Sequence, residues 1–103
     1  MPLERLKRKL MLENIWLYIL RLLSEKPMYA YEIRKRIEDR FGFRIGGITA
    51  YIVLYKLESS GYVRTDWRVE KGRQRKYYSI TKNGKKLLKE GIKFLNVIIK
   101  KIK

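Results

Sequence analysis

The chain has 103 residues, with 26 lysines and arginines against 10 acidic residues and a formal net charge of +16. Hydrophobic residues still make up 46% of it, which is enough to bury a core and excludes a disordered basic tail. Cysteine and histidine are absent, which excludes zinc fingers, disulfide frameworks, thiol catalysis and histidine general bases. We expect one small domain with an additional helix, no metal, no cofactor and no enzymatic activity.

The positive charge indicates a polyanionic partner, and nucleic acid is favoured over an anionic membrane surface. The apolar stretches Ile15–Leu23 and Leu87–Ile99 both fall short of the roughly 20 apolar residues that a membrane-spanning helix needs. No small-residue cleavage site follows the first stretch, as a signal peptide would require. We therefore predict a cytoplasmic protein without a membrane partner.

Helical spacing of apolar residues from Leu3 to Leu23 predicts one long amphipathic helix at the start of the chain. Pro27 ends it, because proline lacks a backbone donor and restricts the residue before it. A second helix is predicted from Met28 to Phe41, with Gly42 placed to cap its C-terminus.

A third apolar-periodic run lies between the adjacent glycines 46 and 47 and Gly61. Successive residues of a helix are separated by about 100°, so this run has two faces. The expected core face carries Ala50, Val53, Leu54 and Leu57, and the opposite face carries Ile48, Thr49, Ile52, Tyr55 and Lys56. A purely solvated face would usually carry charge in place of its isoleucines and tyrosine, so this face is expected to meet a partner.

After Gly61 the pattern changes to β-branched and aromatic residues, with a turn at Lys71 and Gly72, which predicts an antiparallel hairpin. Basic residues cluster around the tip of this hairpin. Thr81 is placed to cap a final helix. The apolar residues of that helix recur at spacings of four and three, as in a coiled-coil seam, at Leu88, Ile92, Leu95, Ile99 and Ile102.

This order of elements is that of a winged helix-turn-helix, a mainly α fold with a small β hairpin, here with an extra C-terminal dimerisation helix. We expect residues 1–81 to form the DNA-binding domain with its N-terminal helix, and residues 82–103 to form the dimerisation helix. A third helix of about 14 residues fits the major groove, which is roughly 12 Å wide. The basic hairpin, or wing, would reach phosphates or the minor groove beside it.

Three motifs resemble those of the PadR family of winged-helix regulators. After Pro27, the stretch Tyr29–Ile33 resembles the opening of the second helix in that family. A recognition-helix pattern is similar at Thr49, Ala50, Tyr51, Leu54, Leu57, Glu58 and Gly61. The stretch Arg75–Thr81, followed by Gly84, resembles the signature that joins the wing to the last helix and is the most specific of the three. The resemblance covers roughly residues 12–95 and implies a regulator of transcription that binds double-stranded DNA.

The sequence departs from the family pattern at three positions. The family commonly has serine at the place of Gly46, glycine at the place of Ile48 and proline at the place of Ile52. Because Ile52 lies on the face expected to meet bases, its departure prevents any transfer of an operator sequence. The fold assignment is unaffected, since the buried side of the third helix is kept.

The residues expected to enter the major groove are Thr49, Tyr51, Ile52, Tyr55 and Lys56. Hydroxyl and ammonium groups would bind phosphates or base edges, and Ile52 would contact a thymine methyl. Tyr51 lies between the two faces, so packing against the wing is an open alternative. The expected wing contacts are Arg73, Gln74, Arg75 and Lys76. Arg44, ahead of the third helix, is either a phosphate contact or a solvated charge.

The expected dimer interface consists of apolar residues near both ends of the chain, namely Leu3, Leu6, Leu10, Leu88, Ile92, Leu95, Ile99 and Ile102. The cover for this surface is either the protein's own core or a second copy. We predict a homodimer in which the last helix packs with its symmetry mate and with the first helix of the partner. Such a dimer would bind an inverted repeat with half-sites about one helical turn apart.

We therefore predict a sequence-specific transcription regulator, acting as a repressor. Two alternatives stay open. One is a non-specific architectural winged helix that binds DNA or RNA, and the other is a protein-interaction adaptor that uses Ile48, Ile52 and Tyr55. The resemblance also implies a small aromatic effector, because some PadR-family members respond to phenolic or drug-like molecules. Trp16 and Trp67 are candidates for such a pocket, although core or interface packing is the better interpretation.

Overall fold

The computed structural model describes all 103 residues, in five helices and three strands. The helices are α1 (Pro2–Met11), α2 (Ile15–Leu23), α3 (Ala30–Phe41), α4 (Gly47–Ser59) and α5 (Lys82–Ile102). The strands β1 (Met28–Tyr29), β2 (Val63–Glu70) and β3 (Arg73–Ile80) form an antiparallel sheet in the order β1-β3-β2. The predicted fold class, mainly α with a small β hairpin, is confirmed.

The core lies where α2, α3 and α4 meet over the base of the sheet. Helix α2 contacts α3, α4, α5 and β3, which explains why apolar residues cover most of its circumference. The side chains without any exposed surface are Ile19, Leu20, Ile33, Ile37, Ala50 and Leu54. The sheet closes the core from below through Met28, Val63 and Tyr78, which are all buried.

The prediction of one long first helix is wrong, because α1 ends at Met11 and α2 begins at Ile15. Asn14 stabilises the break. Its side-chain amide donates to the carbonyl of Lys9 at 2.7 Å, and its side-chain oxygen accepts from the indole of Trp16 at 3.3 Å. Asparagine competes well for backbone groups at helix ends, so it favours a new helix start at this position.

The second predicted helix begins two residues too early. Met28 and Tyr29 are extended and pair with Tyr78 and Tyr77 of β3, and only then does α3 begin. The backbone groups of this short strand are bonded by a strand far along the chain. Local periodicity cannot reveal a partner so distant in sequence. Because β1 pairs with β3, the predicted two-stranded hairpin is part of a three-stranded sheet.

Three predicted boundaries are confirmed. Gly42 caps α3 in the left-handed conformation, with φ 78°. Lys71 and Gly72 form the hairpin turn, both with positive φ, as a tight two-residue turn requires. Thr81 caps α5, and its hydroxyl oxygen accepts from the backbone N–H of Gly84 at 3.1 Å.

Both ends of the chain leave the core. Helix α1 has no buried residue, and α5 has buried residues only in its first half. The chain is consequently elongated, with extents of 52 × 29 × 21 Å. No helix combines the length and the apolar character that crossing a lipid bilayer requires.

Gly84 allows α5 to start in close contact with the residues that lead into β2. A Cβ atom at this position would lie 2.1 Å from the carbonyl oxygen of Tyr62 and 2.8 Å from Cγ1 of Ile80. We predict that Gly84→Ala lowers the free energy of unfolding by about 1–3 kcal/mol, as overpacking does. Urea unfolding at a fixed protein concentration measures this. Gly46→Ala is the matched control, because a Cβ there meets nothing within 4 Å. Equal stability of the two variants would contradict the packing described here.

Candidate nucleic-acid interface

One narrow side of helix α4 packs against the core, and the remaining sides of the helix are exposed. Ala50, Leu54 and Leu57 are buried. On the opposite side, Ile48 is 80% exposed and Tyr55 is 70% exposed. Ile52 lies between them and is half exposed. Large apolar side chains that line up in solvent without a partner in their own chain mark a surface that meets another molecule.

The five residues predicted for the major groove are all exposed, and they lie on three sides of α4. Ile52 and Tyr55 point directly away from the core. Tyr51 lies on the flank that faces the wing, and it lines a cavity together with wing residues. Thr49 and Lys56 lie on the other flank, next to the start of α2. The set is therefore spread over roughly the outer half of the helix, as expected for a rod surrounded by groove walls.

The wing has two different faces, because side chains alternate along its strands and cross-strand partners share a face. We call the face that continues from the core the inner face and the opposite one the outer face. The inner face carries Val63, Thr65, Trp67 and Val69 of β2, opposite Ile80, Tyr78, Lys76 and Gln74 of β3. The outer face carries Arg64, Asp66, Arg68 and Glu70, opposite Ser79, Tyr77, Arg75 and Arg73. The four predicted wing contacts are thus divided equally between the two faces.

Several charged side chains on the outer face make contacts within the chain. The guanidinium of Arg75 lies 4.3 Å from the ring centre of Tyr29, and that of Arg68 lies 4.5 Å from the ring centre of Tyr77. Such cation–π contacts contribute about 0.5–1 kcal/mol at exposed sites. The hydroxyl of Tyr77 donates to Glu70, and this hydrogen bond, with burial, raises the pKa of Tyr77 to about 12. The phenol therefore stays protonated at neutral pH.

The base of the inner face is joined to α4 by Glu58. Its carboxylate accepts from the hydroxyl of Thr65 at 2.9 Å and lies 3.8 Å from the ammonium of Lys76. Lys76 therefore has an acid next to it, which the sequence alone did not show. This pair of contacts fixes the wing relative to α4.

A cleft lies where the wing, the start of α3 and Tyr51 of α4 come together, and its lining includes residues of both wing faces. We call it the helix–wing cleft; its volume is about 320 Å³, and it is lined by Tyr29, Ala30, Tyr31, Tyr51, Trp67, Gln74, Arg75, Lys76 and Tyr78. Trp67 is 65% exposed and so is not a core residue. Tyr31, near the start of α3, is also mainly exposed. From the sequence, Trp67 was a candidate only for an effector pocket, with core or interface packing preferred, and Tyr31 was not identified as a site residue.

Arg44 lies in the loop before α4 and is 86% exposed. Its guanidinium donates to Glu38 of α3. Exposed ion pairs contribute at most about 1 kcal/mol, so this arginine is easily released to another anion.

The cations around α4 and the wing tip are largely without acidic partners. The structure contains nine ion pairs. One of them joins Lys76 to Glu58, and none includes Lys56, Lys71, Arg73 or Arg75. Because the outward side of α4 carries no acid, this region retains a local positive potential. Such a surface attracts the phosphates of nucleic acid.

A second unpartnered surface lies on α1 and the distal half of α5. Its members are large apolar residues that are between 40% and 79% exposed, namely Leu3, Leu6, Leu10, Ile92, Ile99 and Ile102. Leu95, in the same row, is half-buried. Leu88, predicted for this interface, instead packs into the chain's own core, because the first half of α5 lies against α2. Phe94 and Ile98, together with Val97 on the side of the helix opposite Ile99, are further exposed apolar residues of α5 that the seam pattern left out.

Trp16 is half-buried against the core, as its predicted packing role requires. It also lines a cavity of about 430 Å³ between the start of α2 and the flank of α4. Most of the lining is apolar, and Thr49, Val53 and Lys56 of α4 form one wall. The two tryptophans consequently lie in different places and do not form one pocket.

Comparison with known proteins identifies the family. The model of the transcriptional regulator PadR-like family matches residues 19–90. An uncharacterized protein of Lysinibacillus sphaericus is 41% identical over 78 residues, which cover 73% of this chain and 72% of that protein. The structure of a transcriptional regulator from Clostridium thermocellum matches with a TM-score of 0.81 at 30% identity, covering 91% of each chain.

The structure of Bacillus subtilis PadR in complex with operator DNA shares the fold, with a TM-score of 0.71 at 22% identity. That match covers 77% of this chain and 46% of the Bacillus chain. The family is one of transcription regulators and not of enzymes. On the match of the family model and the curated relative, the chain belongs to the PadR-like family of transcriptional regulators.

Proposed function

We propose that the protein is a homodimeric, sequence-specific DNA-binding repressor. The observation that carries the proposal is the outward side of α4, which is apolar, free of acids and placed beside a basic wing. Family membership supports it, as does the operator complex of the structurally similar Bacillus protein. A repressor of this kind acts on the chromosome in the cytoplasm, where the bound dimer blocks polymerase from the promoter.

Helix α4 would lie in the major groove, with its outward side against the bases. Its 13 residues span about 20 Å, which matches the reach of a recognition helix. Ile52 would contact a thymine methyl, and the hydroxyls of Tyr51 and Tyr55 would bond to base edges or phosphates. In a specific site, each mismatched base pair typically costs about 1–3 kcal/mol.

Basic residues around this helix would bind the phosphates on either side of the groove. Lys56 lies on one flank of α4, and Lys71, Arg73 and Arg75 lie towards the wing tip. Arg44 would add a contact ahead of the helix by leaving Glu38. Each neutralised phosphate releases bound counterions, so affinity is expected to fall steeply with salt.

The salt dependence of binding tests the role of Lys56. We predict that Lys56→Ala weakens binding to a selected duplex and reduces the slope of log affinity against log salt by about 1. Fluorescence anisotropy of labelled DNA measures both. Lys101→Ala is the matched control, because it removes the same charge from the distal end of α5. An unchanged slope for Lys56→Ala would remove this residue from the interface.

We propose that residues 82–103 are the dimerisation helix and that residues 1–81 form the DNA-binding domain. The distal half of α5 and all of α1 carry rows of apolar residues that nothing in the chain covers. A second copy would bury both rows, with α5 against its symmetry mate and against α1 of the partner. The two copies of α4 would then bind an inverted repeat, with half-sites about one helical turn apart.

Substitution at Ile99 tests this assembly. We predict that Ile99→Lys shifts the protein towards monomer, because it places a charge in the proposed interface. Sedimentation equilibrium measures the dissociation constant, which should rise by at least about tenfold. Val97→Lys is the matched control, since position 97 lies about 160° away around the helix. Equal dissociation constants for the two variants would contradict the proposed interface.

Two other functions remain outcomes of the same experiments. An architectural protein would bind random duplex, or RNA, as tightly as a selected site. An adaptor that used Ile48, Ile52 and Tyr55 would bind a protein partner and show little salt-dependent affinity for DNA. Sequence selection against a random duplex library separates the repressor from both.

The cavity beside Trp16 is the best candidate site for a small aromatic effector. Its wall includes Thr49, Val53 and Lys56, so an occupant would alter the flank of α4 that is proposed to meet DNA. We predict that 2-naphthol quenches Trp16 in a Trp67→Phe variant and lowers DNA affinity over the same concentration range. Quenching of Trp16 without any change in DNA affinity would contradict the proposed coupling.

A further inference from the structure

Near the tip of the wing, the inner face carries large apolar side chains that no other part of the chain covers. At the base of this face, Val63 is buried and Thr65 bonds to Glu58 of α4. Nearer the tip, Trp67 is 65% exposed and Val69 is 72% exposed. Leaving an indole in water forgoes the favourable burial of a large apolar area. These two residues therefore form an unpartnered apolar surface on the wing.

The two faces of the wing also differ in charge. Both of its acids, Asp66 and Glu70, lie on the outer face. There Asp66 pairs with Arg68 at 3.0 Å, while Arg75 lies over Tyr29. The inner face carries no acid. Its single cation, Lys76, lies next to Glu58, so the part of the inner face near the tip is apolar and nearly uncharged, while the arginines of the wing lie on the outer face. The inner face is therefore suited to apolar contact rather than to binding phosphates.

The inner face of the wing also faces α4. Trp67 and Tyr51 line the same helix–wing cleft, with Lys76 and Gln74 along its wing side. If α4 lies in a major groove, the strand of backbone that borders this groove runs through the cleft. The next minor groove would then be within reach of the inner face of the wing.

We propose that the wing meets the minor groove with its inner face and that Trp67 anchors it there. The indole packs against the deoxyribose wall of the groove, with Val69 beside it towards the tip. Its ring N–H, which has no partner in the chain, donates to a phosphate or to a minor-groove acceptor. The proposal rests on the proposed DNA-binding function and names the residue on the wing that makes the apolar contact.

Apolar contact differs from phosphate contact in its response to salt. Packing an indole on sugar releases no counterions, whereas each lysine or arginine at a phosphate does. Removing Trp67 should therefore weaken binding equally at all salt concentrations. Removing Arg73, at the tip, should instead reduce the salt slope.

The two tryptophans allow the contact to be observed directly. A Trp16→Phe variant leaves Trp67 as the only indole, and Trp67→Phe leaves Trp16. Each is titrated with a duplex of about 30 base pairs, selected by the protein from a random library. In the first variant, DNA should change the emission and protect it from acrylamide by at least about twofold, since the contact buries an exposed indole. In the second, DNA should change the acrylamide quenching of Trp16 less, because this indole is already half-buried against the core.

Affinity provides the second measurement. Trp67→Ala should weaken binding on the order of tenfold with an unchanged salt slope, as loss of a large apolar contact does. Arg68→Ala, on the outer face, is the matched control and should weaken it less than about threefold. Circular dichroism should show that both variants stay folded, because both side chains are exposed.

The outcomes distinguish this inference from the function on which it rests. If the duplex binds and Trp67 stays fully open to acrylamide, the minor-groove contact is overturned while DNA binding stands. The same conclusion follows if Trp67→Ala binds as tightly as the parent protein. If no selected duplex binds at all, the proposed function fails and the inference fails with it.

Discussion

The packing of α4 against the core through one narrow side is the constraint on which the rest of the structure depends. Ala50, Leu54 and Leu57 are buried against α2 and α3, and each fully buried leucine contributes about 1.5–3 kcal/mol. Because this side fixes the rotation of the helix about its axis, Ile52 and Tyr55 necessarily point away from the core. The same rotation aims Glu58 at the wing. The burial of three small and medium-sized residues thus sets both the exposed surface and the position of its neighbour.

The wing adds a second surface whose two faces have separate roles. Pairing of β1 with β3 places Tyr29 under Arg75, so that the outer face is held together by cation–π contacts and ion pairs. The inner face is braced at its base by Glu58 and left open towards its tip. Most charged side chains of the wing thus lie on the outer face, whereas the inner face near the tip is apolar and exposed. Residues of the inner face and Tyr51 of α4 both line the helix–wing cleft.

Local patterns predicted those parts of the fold that local chemistry determines. Helical periodicity identified the buried and exposed sides of α4, and capping chemistry placed Gly42 and Thr81 correctly. Contacts between distant segments were not predictable in this way. The strand at Met28 depends on a partner in β3, and the heptad-like row of α5 runs unbroken from the core into solvent. Spacing alone therefore could not tell that Leu88 belongs to the core while Ile99 does not. The exposure of Trp67 was not predicted, because it depends on where α4 stops covering the sheet.

The most direct test of the account is a comparison of the DNA sequences selected by the parent protein and by an Ile52→Ala variant. If the buried side of α4 orients Ile52 towards the bases, the variant should lose preference at one base pair in each half-site and keep it elsewhere. A loss on the order of 1 kcal/mol at that position is expected for an apolar contact to a thymine methyl, since each buried CH₂ contributes about 0.8 kcal/mol. Identical preferences at every position would contradict the account, because they would mean that the outward side of α4 does not face the bases.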